Sequence, residues 1–196
     1  MSETIDFDAQ ARLVARLAEH TTEDQLDAPT PCEKYAVRHV LGHLVGLTAA
    51  FRDAARKDLG PSTNTDPGRT VPDVEPGWRG ALEANLAALT QAWRTPDAWQ
   101  GDTQAGGIAL PAPVAGQVAV NELVLHGWDL AQATGQEYAP DRVYLEVSYA
   151  LLAPSAEGEG NEPMFGPPVP VPDDAPLLDR VVALSGRRPG WTPKGA

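Results

Sequence analysis

The sequence predicts an all-α protein: an antiparallel four-helix bundle, then a short extended C-terminal arm and a small terminal helix. Three observations predict it. Apolar residues recur at helical spacing in four or five separate stretches. Proline and glycine clusters fall between those stretches. Alternating apolar and polar runs of strand length are nearly absent. The bundle is expected over residues 6–153, and the Pro/Gly-rich arm with its short helix over residues 154–196.

The first helix is read from Asp6 to His20, where Phe7, Ala11, Val14 and Ala18 form a stripe that Leu13 and Leu17 widen. Pro29-Thr30-Pro31 then marks a turn-rich connection, since no helix carries that triplet in its middle. The second helix is read from Ala36 to Asp58, on the stripe of Val37, Val40, Leu41, Leu44, Thr48 and Phe51. Gly60 followed by Pro61 is expected to stop it. Residues 61–76, rich in Ser, Thr, Asn, Asp, Gly and Pro, form a long loop.

Trp78, Leu82, Leu86, Leu89 and Trp93 give the clearest helical face of all, ending at Thr95-Pro96. Trp78 and Trp93 are expected in the core. Gly106 to Leu110 can form a short hairpin. A fourth helix follows over Val114–Thr134, with Pro113 at its first turn and Gly135 beyond its end. A fifth spans Asp141–Ala153, ending at Pro154. The segment from Pro154 to Pro176 crosses the surface as the arm, and Leu177–Leu184 closes the chain as a short helix.

The composition limits the functions open to such a bundle. The 196 residues fit one domain and hold 15 Lys and Arg against 27 Asp and Glu, a net charge of −12. With no basic run, neither nucleic acid nor an anionic membrane is an expected partner. No apolar run approaches the ~18 residues of a membrane span. The acidic N-terminus lacks the pattern of a signal peptide, so a cytoplasmic location is expected. The single cysteine, Cys32, excludes an internal disulfide and any cysteine-only metal cluster. Its acidic surroundings disfavour a thiolate, which makes it a loop residue rather than a nucleophile.

The fourth helix carries the chemistry. Glu122 and His126 are four residues apart and meet on one helix face. Ala119, Leu123, Leu130 and Ala133 continue that face, so both side chains are expected to point into the bundle. A buried carboxylate neutralises, pairs or binds a metal. A third ligand must come from another helix. His43 shares a stripe with Ala36, Val40 and Leu47 and is the first choice; His39, on the stripe of Tyr35, Gly42 and Gly46, is the competitor. His43, Glu122 and His126 make a two-histidine, one-carboxylate set that leaves coordination positions open. Zinc suits it best, with nickel, iron or manganese as alternatives. Asp129 can accept a hydrogen bond from a ligand histidine. Arg187 and Arg188, beyond the last helix, can contact an anionic substrate.

Two blocks carry a family resemblance: Pro29-Thr30-Pro31-Cys32 leading to Val37-Arg38 and Leu41-Gly42-His43-Leu44-Val45-Gly46, and Asn121-Glu122-Leu123-Val124-Leu125-His126-Gly127-Trp128-Asp129-Leu130. Together they resemble the mycothiol-dependent maleylpyruvate isomerase-like metal-binding proteins of the DinB-like superfamily. The ending Phe165 to Val171-Pro172, with Leu184-Ser185-Gly186-Arg187-Arg188, is similar to the tail of an actinobacterial subfamily. The resemblance implies a DinB-like bundle whose second and fourth helices bind a divalent metal, usually zinc, through His43, Glu122 and His126. It further implies mycothiol as thiol co-substrate, and addition of that thiol to a small electrophile.

The sequence departs from the isomerase in two places. Only the segment Gly160–Trp191 stands where the isomerase has a separate C-terminal domain with a substrate arginine, and position 39 is His where an acid is expected. The expected function is therefore a thiol-dependent transferase or isomerase. The alternatives are a non-catalytic metal-binding or stress-response module and, with no obvious general base beside the triad, a metal-assisted hydrolase. Pairing into a homodimer through an apolar face of the first or fifth helix is also expected.

Overall fold

The structure, a computed structural model, describes residues 4–66, 69–156 and 166–193. Among these residues seven α-helices and one hairpin follow in order: α1 (Asp8–His20), α2 (Val37–Arg56), the single turn α3 (Pro61–Asn64), α4 (Trp78–Trp93), β1 (Asp102–Ala105), β2 (Ile108–Pro111), α5 (Ala112–Thr134), α6 (Arg142–Ala156) and α7 (Leu177–Leu184). Helices α1, α4, α2 and α5 close a ring in which each packs on the next, and α6 lies on the outer side of α5 with α7 against it. This is the all-α bundle that the helical periodicity predicts. Within the ring, Val14, Leu41, Leu44, Leu82, Leu89, Leu123 and Leu130 are fully buried.

The boundaries have local causes. In α4 the apolar face of Trp78, Leu82, Leu86, Leu89 and Trp93 is buried as its spacing requires. Arg79 on the same helix caps the end of α1, donating from Nη1 to the Ala18 carbonyl (2.6 Å) and from Nη2 to that of Thr21 (2.7 Å). The hairpin turns on Gly106 and Gly107, whose φ values of 60° and 79° suit a two-residue turn. Gly135, at φ 68°, ends α5.

Two ends differ from expectation. The left-handed residue closing α2 is Lys57, at φ 58°, and not Gly60, which is extended and opens α3. The Lys57 ammonium donates to the Ala98 carbonyl, and the Asp58 N–H reaches back to Asp53, so the end is satisfied without glycine. Helix α6 runs through Pro154 to Ala156, because a proline in a last turn removes only one intrahelical bond. Residues 157–165 of the expected arm, Phe165 included, lie outside the described residues. Beyond them the chain runs extended beside α7, with the Val169 N–H bonded to the Ala183 carbonyl (2.9 Å). No described helix is long and apolar enough to cross a membrane.

Candidate metal centre

Helix α5 is buried on nearly every side, between the ring and α6, from Ala112 to Ala131. Polar residues within that stretch therefore face protein, and Glu122 and His126 face α2. Helix α2 presents His43 two turns from its start. The Nε2 of His43 lies 3.2 Å from Glu122 Oε2, and the Nε2 of His126 lies 3.3 Å from the same oxygen. The two imidazole rings are 4.7 Å apart and nearly perpendicular. Three donor atoms thus converge within 4.8 Å of one another. Side-chain exposures of 14%, 14% and 9% leave the cluster at the edge of solvent.

This arrangement fits a divalent cation. Ligand atoms about 2 Å from a tetrahedral ion stand roughly 3.3 Å from each other, which matches both nitrogen–oxygen separations. Two imidazoles and one carboxylate are also a common donor set for zinc. Without an ion, the same atoms hold one another by charge. Burial alone would raise the Glu122 pKa, but the hydrogen bonds and charges of His126 and His43 outweigh it and hold the carboxyl well below the usual range. Burial works against charge on His126 too, yet its bonds to Asp129 and Glu122 push the imidazole up to about 9.

Behind His126 sits Asp129, fully buried, accepting from Nδ1–H at 3.0 Å. That bond leaves Nε2 as the nitrogen turned to the cluster. Asp129 also receives Arg187, which donates from Nε to Oδ1 (2.7 Å) and from Nη2 to Oδ2 (2.8 Å). A third donor, Nη1, reaches Ser185 Oγ at 3.2 Å. Arg187 thus meets the centre from behind, on a carboxylate, while Arg188 is exposed.

His39 is not in the cluster. Its Nδ1 accepts the Ala36 N–H at 3.1 Å, which caps the start of α2. The ring of Tyr35 lies 6.2 Å from that of His39 and 5.8 Å from that of His43. Tyr35 is a neighbour that sequence reasoning did not single out. Its signal was a spacing of four residues, 35, 39 and 43, carried back past the helix start. Cys32, half-buried in the loop before α2, falls within electrostatic reach of Asp129, Arg187 and Glu122. Burial first, and then Asp129, push its thiol up, which disfavours a thiolate.

Residues 7–131 match the Mycothiol maleylpyruvate isomerase N-terminal domain. The chain belongs to that family. The match spans α1 to most of α5 and includes His43, Glu122, His126 and Asp129, whereas Arg187 lies beyond it. Two uncharacterized proteins of Mycobacterium tuberculosis, from strains CDC 1551 and H37Rv, are each 28% identical over 185 residues, covering 91% of this chain and 93% of theirs. Among solved structures, the mycothiol-dependent maleylpyruvate isomerase superposes with a TM-score of 0.61 at 20% identity, covering 91% of this chain and 85% of that one. A histidine-to-alanine mutant of that enzyme gives the same score at 19% identity. At these identities the likeness to the solved structures is one of fold.

Proposed function

We propose that this member of the maleylpyruvate isomerase family binds a divalent metal, zinc foremost, and acts as a thiol-dependent isomerase or transferase on a small electrophile. The observation that carries the reading is the convergence of His43, Glu122 and His126 within a bundle of that family. His43 and His126 would supply neutral imidazole nitrogens and Glu122 an anionic oxygen. When bound, the ion would lower the pKa of a coordinating thiol so that it reacts as thiolate at neutral pH. Mycothiol is the thiol that the family suggests.

The protein's own residues have separable tasks. Glu122 would offset positive charge in a largely buried site at the edge of solvent. Asp129 holds His126 through Nδ1–H, so that Nε2 is presented without rotation of the ring. The Tyr35 ring stands 5.8 Å from that of His43, and Cys32 lies within electrostatic reach of Glu122.

The test begins with metal content, by mass spectrometry, of protein purified without a histidine tag, beside His126→Ala. Near-stoichiometric metal that the variant loses supports the centre. Turnover of small electrophiles is then assayed with and without the thiol. Metal in neither protein, even after incubation with zinc, would leave Glu122 and His126 as a buried structural pair and overturn the reading. Activity unchanged by a chelator would overturn the enzymatic part.

A further inference from the structure

Arg187 lies outside the family match and far along the chain from the triad, yet it ends against the back of the centre. Its route there is local and well determined. Helix α7 closes through a paired-bond turn: the Gly186 N–H donates to Ala183 (3.0 Å) and the Arg187 N–H to Val182 (3.2 Å). Gly186 takes φ +80°, and a Cβ there would meet the backbone of Gly166 at 2.8–3.0 Å. Two glycines therefore cross where the extended arm passes the end of α7. That crossing turns residue 187 inward instead of out to solvent.

Once turned in, Arg187 makes a fork on Asp129, with Nε on one carboxylate oxygen and Nη2 on the other. The oxygen that takes Nη2, Oδ2, is the one that takes His126 Nδ1–H. Ser185, itself buried and donating to the Val182 carbonyl, holds Nη1. A planar fork fixes the plane of the carboxylate it grips, which a point charge cannot do. The carboxylate in turn fixes the imidazole plane. The links from α7 to the ligand nitrogen are unbroken: arm crossing, Arg187, Asp129, His126.

We propose that Arg187 is a positioning residue of the metal centre, acting through Asp129 to hold His126 in its ligating orientation, so that the C-terminal arm completes a site whose ligands all lie in the bundle. This rests on the metal reading above. It differs from a substrate contact, because it places the effect of Arg187 on the metal.

The test uses the full chain, with affinity for zinc measured by competition against a chromogenic chelator and site geometry by the visible spectrum of the cobalt(II) form. Arg187→Met is expected to weaken zinc binding by up to about 10-fold, the lower end of the range for loss of a direct outer partner of a ligand histidine, because Arg187 acts one contact further out, through Asp129. Arg187→Lys keeps the charge and the fold but not the fork; it should weaken binding less and still alter the cobalt spectrum. In an Asp129→Asn background, Arg187→Met should add less than about twofold, because the route already runs through Asp129. Wild-type affinity and an unchanged cobalt spectrum in both Arg187 variants would overturn the proposal while leaving the metal reading intact. So would a full additive loss in the Asp129→Asn background. Failure of the wild type to bind either ion, with His126→Ala indistinguishable from it, would instead show that the metal reading itself had failed.

Discussion

Two glycine-to-alanine substitutions in different helices should move stability in opposite directions, and the structure sets both signs. At Gly116, on the first turns of α5, an added Cβ would stand 2.5 and 2.7 Å from the Trp99 ring and 3.0 Å from that of Trp93. Neither indole can step back. Trp93 donates to the Phe51 carbonyl, Trp99 donates to the Trp93 carbonyl, and Phe7 stacks on Trp93 at 5.7 Å. Alanine in a helix gains about 1 kcal/mol over glycine, whereas overpacking a well-filled core costs about 1–3 kcal/mol. Three contacts this short place Gly116→Ala toward the upper end, a net loss of roughly 1–2 kcal/mol and a Tm lower by about 2–8 °C for a domain of this size. At Gly46, exposed on α2, no atom lies within 4 Å of the added Cβ. Only the propensity gain remains there, so Tm should rise by about 2–4 °C. Differential scanning calorimetry on both variants decides it. A Gly116→Ala protein as stable as the parent, or more so, would refute the claim that the tryptophans are immobile.

Glu122→Gln keeps the shape of the ligand but removes its charge; titration calorimetry should show zinc affinity reduced by at least about 100-fold, and unchanged affinity would exclude Glu122 as a ligand. In metal-free protein the His126 pKa is raised, so its contribution to stability is fully present below about 6.5 and disappears as pH climbs to about 9. At most about 3 kcal/mol should be lost across that window, as measured by denaturant titration, and His126→Gln should flatten the profile. Glu122, with its pKa depressed, works on the other side: its contribution is present above about 4.5 and fades as the solution is made more acidic. Tyr138→Phe removes the hydroxyl that donates to the Val124 carbonyl (2.7 Å) and accepts from Gln10 Nε2 (2.9 Å), so unfolding free energy should drop by about 1–3 kcal/mol.

What could be read from the sequence was whatever depends on near neighbours. The periodicity of Trp78 to Trp93 marks α4 almost to the residue, because one face of one helix carries the whole signal. Glu122 and His126 declare themselves by a spacing of four in an apolar surround, and His43 by the company of Val40 and Leu47. Closure of α2 at Lys57 was not visible, since it depends on a carbonyl at Ala98, forty-one residues away. The role of His39 as a cap was hidden because its partner is a backbone N–H. Arg187 read as a contact for an anionic substrate; its contact with Asp129 spans 58 positions and needs the crossing of Gly166 and Gly186. Long-range pairs of this kind leave no periodic trace.

If the centre holds a divalent ion as proposed, the charges around it favour an anionic co-substrate. Buried ion pairs seldom stabilise a fold more than apolar residues of the same size would. His43, Glu122, His126, Asp129 and Arg187 converge on α5, which otherwise buries mostly apolar residues, so stability does not account for them. As metal ligands both imidazoles are neutral. Two carboxylates, one guanidinium and a divalent ion would then leave a single positive charge in a site with little solvent to screen it. Such a site favours one more anion, and a thiolate serves better than a neutral amide or ester because it both balances the charge and is a nucleophile. Replacing Arg187 by a neutral residue cancels the surplus. Thiol binding should therefore weaken in Arg187→Met at zinc concentrations that saturate the variant, and fully retained thiol affinity under those conditions would refute the charge argument.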